Sequence, residues 1–217
     1  MLEKYKTVYE GGEGEMVEKK SRFIATVRPV ESEEEALAFI AEMKKKYWNA
    51  THNCSAFVVG ENQELQRCSD DGEPQGTAGR PMLDVLLGEA VHNTAVVVTR
   101  YFGGTLLGTG GLVRAYSRAV QEGLKSSVVI EKQQGYLLKM QTDYNGVGKI
   151  QYLLGQNRIS VVDSTYTQEV ELQALVPAAN LEKLKEELTE ATSGRVKYGD
   201  CEEVCFAMVE GAPQIFT

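Results

Sequence analysis

The chain has 217 residues, of which 25% are charged and 42% hydrophobic, and it carries 23 basic and 31 acidic side chains for a net charge of −8. This composition is typical of a soluble globular protein and excludes a collagen-like, disordered or disulfide-dense chain. The negative total charge argues against sequence-blind electrostatic binding of nucleic acid, although it leaves room for a local basic patch. The length allows one or two domains.

Hydropathy and cysteine content indicate a cytoplasmic chain without a membrane partner. No run of about 20 apolar residues is present, and the start of the chain lacks the apolar core of a secretory signal. Four cysteines without a CxxC pair predict reduced thiols. We expect no cofactor. We also expect no metal, because a site at Cys201 and Cys205 would need two more ligands and the two histidines are far away in sequence.

The first part of the chain predicts alternating strands and helices. Ser32 is a suitable N-cap, and Glu35 three residues later completes a capping box. Pro81 suits the first turn of another helix. In chain order, the patterns predict strands within 5–30, a helix over 31–48, a strand pair at 55–60 and 65–69, a helix over 82–91, a strand over 94–102, a helix over 112–125 and a strand over 127–132.

The remaining chain predicts a smaller α+β unit. The order of its elements, β-α-β-β-α-β, is that of a ferredoxin-like domain. We therefore expect an α+β protein of two domains, residues 1–132 and 133–217. The second domain is predicted to contain a strand over 135–143, a helix over 145–157, strands over 159–168 and 169–177, a helix over 177–194 and strands over 195–198 and 202–210.

Five glycines occupy nine positions between the apolar strand and the following helix, in the segment from Tyr101 to Arg114. Glycine lets amide groups approach a ligand closely, and free N–H groups at a helix start favour an anion. We favour an anion site, but a tight turn with close packing stays open as the alternative. The segment does not end in Gly-Lys-Ser/Thr, so it is not a Walker A motif. It is not a dinucleotide fingerprint either, because Val113 stands where the fingerprint needs Gly or Ala.

The charge distribution supports a site in this region. Residues 90–121 contain no Asp or Glu, whereas residues 133–217 carry 7 basic and 12 acidic side chains. An acid-free interval with several arginines can attract phosphate although the whole chain is acidic. The candidate anion- or partner-binding residues are Arg100, Gly103, Gly104, Gly108, Gly110, Gly111, Arg114 and Arg118.

A second polar loop, residues 68–82, concentrates carboxylates. Asp70, Asp71 and Glu73 can hold Mg²⁺ or act as general acid and base. They can equally cap turns and pair with Arg80, and Asp and Gly at this density are common turn residues. We favour the structural role and keep the three carboxylates as weak catalytic candidates.

Upstream of this loop, His52 and Cys54 lie two residues apart at the entry to a strand. They share one face, as a base and a nucleophile would, but no third group that could orient them is evident. We therefore expect a polar rim of a cleft rather than a Cys/His hydrolase. The rim residues are His52, Cys54, Thr77 and Arg80.

Three motifs, HNCSAF, SDDGEPQGTAGRPM and RYFGGTLLGTGGLVRAYSRAV, resemble the IMPACT family of bacterial proteins in sequence, order and spacing. The match covers most of residues 15–125. Residues 135–210 resemble the small ferredoxin-like domain of the bacterial members, which is similar to the fifth domain of elongation factor G. The resemblance implies a first domain with the fold shared by a small-subunit ribosomal protein and the GHMP kinases, in which βαβ crossovers can be left-handed.

The resemblance also implies a link to translation. Eukaryotic members of the family regulate translation under amino-acid starvation through protein–protein competition, with an additional N-terminal interaction domain. Our leading hypothesis is a binding protein that contacts RNA, the ribosome or a translation-regulator protein through the glycine-rich loop. The rival is an enzyme on a small phosphorylated or acidic substrate that uses the loop from Asp70 to Glu73, and a protein-only regulator is a third possibility. The sequence leaves enzymatic activity and oligomeric state open.

Overall fold

The computed structural model of the protein describes residues 4–216. The chain divides into two compact units, Met1–Glu131 and Lys132–Thr217. Residues 1–3 of the predicted first domain and residue 217 of the second lie outside the described residues. Within the described part of the chain, no helix is both long and apolar enough to cross a membrane.

In the described residues, the first unit contains seven complete strands and three helices, and an eighth strand begins in it and continues into the second unit. Its main sheet has the order β2-β3-β7-β4-β5 and is antiparallel throughout, while β1 and β6 form a short parallel pair. The elements are β1 (Lys4–Glu10), β2 (Glu13–Glu18), β3 (Ser21–Pro29), α1 (Glu33–Lys46), β4 (His52–Val59), β5 (Leu65–Ser69), α2 (Gly79–Gly88), β6 (Val91–His92), β7 (Thr94–Tyr101) and α3 (Thr109–Lys125).

Helices cover both faces of this main sheet because its central strands are apolar on both sides. Phe57 of β4 packs in a cluster with Phe39 and Met43 of α1. Its neighbours Ala56 and Val58 point to the opposite face and pack with residues of α2 and α3. Both strands β4 and β7 are almost completely buried, including the polar residues at their ends next to the loops.

The starts of α1 and α3 show how local sequence sets helix boundaries. The predicted cap of α1 is present, since Ser32 Oγ accepts the N–H of Glu35 at 3.2 Å. Helix α3 begins three residues earlier than predicted, at Thr109, so that Gly110 and Gly111 lie in its first turn. Its N-cap is Gly108, which has a φ of +75° and provides no side-chain cap.

The second unit is an antiparallel sheet with the order β9-β10-β8-β11-β12, packed against two helices. Its first six elements follow the predicted ferredoxin-like order, and the α+β class of the two-domain chain is confirmed. The elements are β8 (Val128–Thr142), α4 (Tyr144–Gln156), β9 (Ser160–Tyr166), β10 (Val170–Pro177), a short 3-10 turn (Ala178–Asn180), α5 (Leu181–Ala191), β11 (Lys197–Val209) and β12 (Ala212–Phe216).

Three differences from the sequence expectation concern the strands of this unit. The strands predicted over 195–198 and 202–210 are one continuous strand, β11. The strands predicted over 127–132 and 135–143 are one continuous strand, β8. Gly135 lies within this strand as a close-packing position, because a Cβ there would lie 2.5 Å from Cε1 of Phe206 on β11. The final strand, β12, was not predicted, and it forms a hairpin with β11.

Candidate functional site

One end of the main sheet gathers the segments predicted to be functional. The register pairs Arg22 of β3 with Tyr101 of β7, and Arg100 of β7 with His52 of β4. The chain before β3, the chain before β4 and the loop after β7 therefore emerge side by side, with strands about 4.8 Å apart. We call this region the sheet end.

Most glycines of the loop after β7 have a structural reason. A Cβ on Gly103 would lie 2.0 Å from the carbonyl carbon of Lys20, while Gly104 and Gly108 have φ of +80° and +75°. Gly111 packs against the Cβ of Leu107. Close packing and left-handed backbone thus account for these four positions.

Gly110 is different, because nothing in its backbone or packing requires a glycine. Its φ is not in the left-handed region, and the nearest atom to a Cβ there is Nη1 of Arg114 at 3.5 Å. The first turn of α3 therefore leaves open space beside the Arg114 guanidinium. Its first N–H groups have no partner within the helix, as at any helix start.

Four cations lie around this loop, and we call them the cation cluster: Lys19, Lys20, Arg114 and Arg118. Arg114 and Arg118 are exposed on one face of α3, four residues apart. Among residues 4–216, none of the four has an ion-pair partner within 4.0 Å. A cavity of about 250 Å³ is lined by Lys19, Arg114, Arg118, Glu18, Met16, Leu107, Gly111 and Ala115. Its lining has three cations and one carboxylate, so the cavity favours an anion.

Sequence reasoning missed Lys19 and Lys20. They form the two-residue turn between β2 and β3, and both have left-handed backbone, with φ of 45° and 67°. Gly, Asn and Asp are the usual residues of such a turn, and a lysine in the left-handed region is disfavoured by roughly 1–2 kcal/mol. Lys-Lys carries no turn signature, so the sequence offered no local signal for this turn.

Arg100 was predicted with the anion-binding residues, but it pairs inside the protein. Its Nη1 donates to Oε1 of Glu73 at 2.6 Å, and both side chains are at most 6% exposed. The Tyr116 hydroxyl donates to the same carboxylate oxygen at 2.8 Å. These contacts make Arg100 a partner of Glu73 rather than a surface ligand for an anion.

The Glu73–Arg100 pair also supports the base of the glycine-rich loop. Arg100 Nη2 donates to Ser21 Oγ, and the N–H of Gly103 donates to the same hydroxyl oxygen, each at 3.2 Å. A chain of hydrogen bonds thus runs from Glu73 in the loop after β5 to Gly103 in the loop after β7. The two loops singled out from the sequence are neighbours at the sheet end.

The other carboxylates of the loop after β5 are engaged with backbone. Asp70 accepts N–H groups of Gly76, Ala78 and Gly79 at 2.8 to 3.0 Å. Burial raises the pKa of Asp70, but these three donors outweigh it and hold the pKa below its usual range. Asp71 accepts the N–H of Asn53 at 2.7 Å and forms an ion pair with Lys44. These bonds favour the structural role over catalysis.

The predicted rim residues do not form a nucleophile and base. His52 Nδ1 lies 2.9 Å from the carbonyl oxygen of Asp71, and its Nε2 lies 3.8 Å from Glu73 Oε2. Cys54 is completely buried, with its Sγ 3.0 Å from the carbonyl oxygen of Asp70. Burial raises the pKa of the Cys54 thiol to about 12, so the thiol is protonated at neutral pH.

The remaining rim residues have local partners. The Thr77 hydroxyl donates to the carbonyl oxygen of Pro74 at 2.6 Å. Arg80 is exposed and pairs with Asp84 on α2, not with the loop carboxylates. Within residues 4–216, no group of three or more His, Cys, Asp and Glu side chains is placed to hold a metal ion.

Comparisons with known proteins match both units. Residues 19–124 match the family model of the Impact N-terminal domain, and residues 140–195 match a domain of unknown function, DUF1949. The chain is 45% identical over 202 residues to IMPACT family member YvyE of Bacillus subtilis, with 92% of this chain and 93% of that protein covered. It is 37% identical over 187 residues to IMPACT family member YigZ of Escherichia coli, with 85% and 92% covered.

A crystal structure of a hypothetical protein is also similar. It has a TM-score of 0.59 and 34% sequence identity, and the match covers 93% of this chain and 99% of that one. The family models and the two named relatives confirm the resemblance that the sequence motifs indicated. The chain belongs to the IMPACT family.

Proposed function

We propose that this protein is a translation-linked binding protein of the cytoplasm that contacts RNA phosphates through the cation cluster. The observation that carries the proposal is the set of four cations, Lys19, Lys20, Arg114 and Arg118, without ion-pair partners among the described residues. Phosphate contacts are the dominant electrostatic term in RNA binding. The link to translation is what membership of the IMPACT family suggests.

The local charge balance supports this proposal against the acidic total. The loop carboxylates nearest the sheet end are compensated within the protein, since Glu73 pairs with Arg100 and Asp71 pairs with Lys44. Glu18 is the one carboxylate of the cavity lining. A phosphate at the cavity therefore meets a net positive charge.

The open first turn of α3 is the second supporting feature. Gly110 leaves space beside Arg114, so that a phosphate oxygen can approach the N–H groups of the helix start and the guanidinium together. Helix N-termini bind phosphate through such N–H groups and through the helix dipole. Arg114 adds a bidentate donor in the same place.

The enzyme hypothesis has less support. The two loops are neighbours, as an active site between them requires, yet each loop carboxylate is already bonded inside the protein. A general acid or base must reach a substrate proton with a free oxygen or nitrogen. No observation at the sheet end favours catalysis over binding.

The test is a salt series with the purified full chain and two probes, ribosomes and a labelled short RNA. We expect the logarithm of the affinity to fall linearly with the logarithm of the salt concentration, with a slope near −3 if the four cations contact a single strand. Arg114→Ala and Arg118→Ala should each weaken binding and reduce the slope by about 0.7. Lys125→Ala, an exposed cation at the far end of α3, is the matched control and should leave the slope unchanged.

Two results would overturn the proposal. The first is an affinity for both probes that does not depend on salt. The second is an affinity that is as strong in the Arg114→Ala, Arg118→Ala double variant as in the wild-type protein.

A further inference from the structure

Two aromatic side chains are exposed at the sheet end, next to the cation cluster. Trp48, in the segment between α1 and β4, is 81% exposed, and Phe102, directly after β7, is 46% exposed. Large apolar side chains grouped on one surface mark interaction sites more often than singly scattered ones. The phosphate contacts proposed above do not use either ring.

Hydrogen bonds tie the two aromatic segments together. The N–H of Phe102 donates to Thr51 Oγ1 at 3.0 Å, and the Tyr101 hydroxyl donates to Asn49 Oδ1 at 3.1 Å. The segment that carries Trp48 is therefore fixed to the end of β7. The two exposed rings belong to adjacent, connected pieces of backbone.

The cation cluster lies on the other side of Phe102. Gly103, the next residue, packs against the backbone of Lys20, where a Cβ would lie 2.0 Å from the carbonyl carbon. Across the sheet end, the order is thus the Trp48 segment, then Phe102, then the lysine turn at 19–20. Neighbouring strands are about 4.8 Å apart, so the two aromatic segments and the lysine turn follow one another over a short distance.

The Arg100 guanidinium lies over one face of the Phe102 ring. The guanidinium carbon of Arg100 lies 5.6 Å from the ring centroid, and Arg100 itself is fixed by Glu73 and Ser21. A ring supported on one face loses little freedom when a planar ligand stacks on the other face. This arrangement is a preformed stacking platform.

We infer that the RNA bound here is single-stranded, with unpaired bases stacked on Phe102 and Trp48 while its phosphates contact the cation cluster. The inference rests on the proposed function, because it names the class of RNA that the same surface takes. Bases in a duplex hide their faces, whereas single strands present them to aromatic side chains. Aromatic platforms beside a positive groove are the general device for binding single strands without sequence preference.

A protein partner fits this surface less well. The exposed Leu106, at 82%, and the two aromatic rings could form an apolar contact. However, the core of a protein–protein interface is depleted of charged residues, of lysine in particular, and here two lysines adjoin the aromatic platform. Unpaired cations of one sign complement a polyanion.

Trp48 gives a direct readout, because it is the only tryptophan of the chain. The probes are an oligouridine of about 12 nucleotides, within the site sizes of single-strand binding proteins, and an RNA duplex of similar length. We expect the single strand to quench Trp48 emission and to bind at least about tenfold more tightly than the duplex.

Variants separate stacking from phosphate contact. Phe102→Ala should weaken single-strand binding about tenfold and leave the salt slope unchanged, because stacking releases no counterions. Arg114→Ala should instead reduce the slope. Tyr152→Ala removes an aromatic ring of similar exposure on α4 of the second unit and serves as the matched control.

The outcomes keep the two proposals apart. Salt-dependent binding of both RNAs with equal affinity, with unchanged Trp48 emission, would overturn the single-strand inference and retain the phosphate-contact proposal. Absence of salt-dependent binding to any RNA would overturn both. Specific binding of a protein, lost in Phe102→Ala while RNA does not bind, would replace them with a protein-docking surface.

Discussion

Replacing Glu73 by alanine removes one partner of a buried ion pair and leaves the other in place. In the native structure the carboxylate accepts from Arg100 at 2.6 Å and from Tyr116 at 2.8 Å, and the Glu73 and Arg100 side chains are 3% and 6% exposed. Without it, the guanidinium and the phenol are left buried without their acceptor. Breaking a buried pair in this way costs about 3–5 kcal/mol of unfolding free energy.

Urea unfolding of the full chain measures this loss. With a denaturant dependence of about 2 kcal/mol per molar, the unfolding midpoint of the first unit should fall by roughly 2 M. Glu33→Ala is the matched control, because Glu33 binds Arg67 at the same distance of 2.6 Å but the Arg67 side chain is 58% exposed. An exposed pair contributes at most about 1 kcal/mol, so the two variants should differ severalfold.

Two further variants keep this reasoning refutable if Glu73→Ala does not fold. Glu73→Gln retains an acceptor oxygen and should lose less, and the double variant Glu73→Leu, Arg100→Met should also lose less than Glu73→Ala, since it leaves no unpaired charge. A loss below about 1 kcal/mol for Glu73→Ala would show that the pair is solvated and does not hold the loop.

Three further predictions concern the loop carboxylate Asp70, the cysteine thiols and the glycines near the start of α3. The pKa of Asp70 is lowered in the folded state, so the ionised carboxylate stabilises the fold at pH values above the usual Asp pKa of about 3.9. This contribution should be lost as the pH falls through the lower pKa of the folded state. The unfolding free energies of wild type and Asp70→Asn, measured in urea, should therefore converge at low pH. Iodoacetamide at pH 8 should alkylate the exposed Cys68 and Cys201 in the native protein. It should reach Cys54 only after unfolding, because the Cys54 thiol is buried and its pKa is raised to about 12. Labelling of Cys54 in the native protein would contradict its burial. Gly103→Ala should destabilise the first unit, because the added Cβ clashes with the backbone of Lys20. Gly110→Ala places its Cβ in open space within α3, so it should be neutral or stabilising by up to about 1 kcal/mol while it weakens RNA binding. Thermal unfolding of the two variants measures this difference in stability.

The sequence predicted those features that depend on neighbouring residues. Ser32 and Glu35 are three residues apart, and Ser32 caps α1 as the pattern indicated, whereas the Glu35 carboxylate accepts the N–H of Glu31 rather than that of Ser32. The predicted break between the strands at 127–132 and 135–143 is absent, because Gly135 packs against the ring of Phe206 within one continuous strand. Local patterns do not distinguish close packing from chain reversal.

The site depended on contacts between distant residues, and these were not predictable. Glu73 and Arg100 were both singled out, but their pairing over 27 residues follows from the sheet register that sets Arg100 beside His52. Lys19 and Lys20 were missed because two lysines carry no turn signature. Their role becomes visible only when Gly103 is found packed against Lys20.

The acidic total charge and the cation cluster are compatible because charges act locally. At physiological salt the screening length is about 8 Å, so a phosphate bound beside Arg114 responds mainly to the charges within that distance. Near the sheet end, Arg100 neutralises Glu73 and Ser21 links that pair to Gly103. Removing the Glu73 carboxylate therefore destabilises the fold while it makes the local field more positive. A folded Glu73→Gln variant should bind RNA at least as tightly as wild type, although it unfolds more easily. Weaker binding would mean that the Glu73–Arg100 pair affects RNA binding mainly through the conformation of the glycine-rich loop and not through the local electrostatic potential.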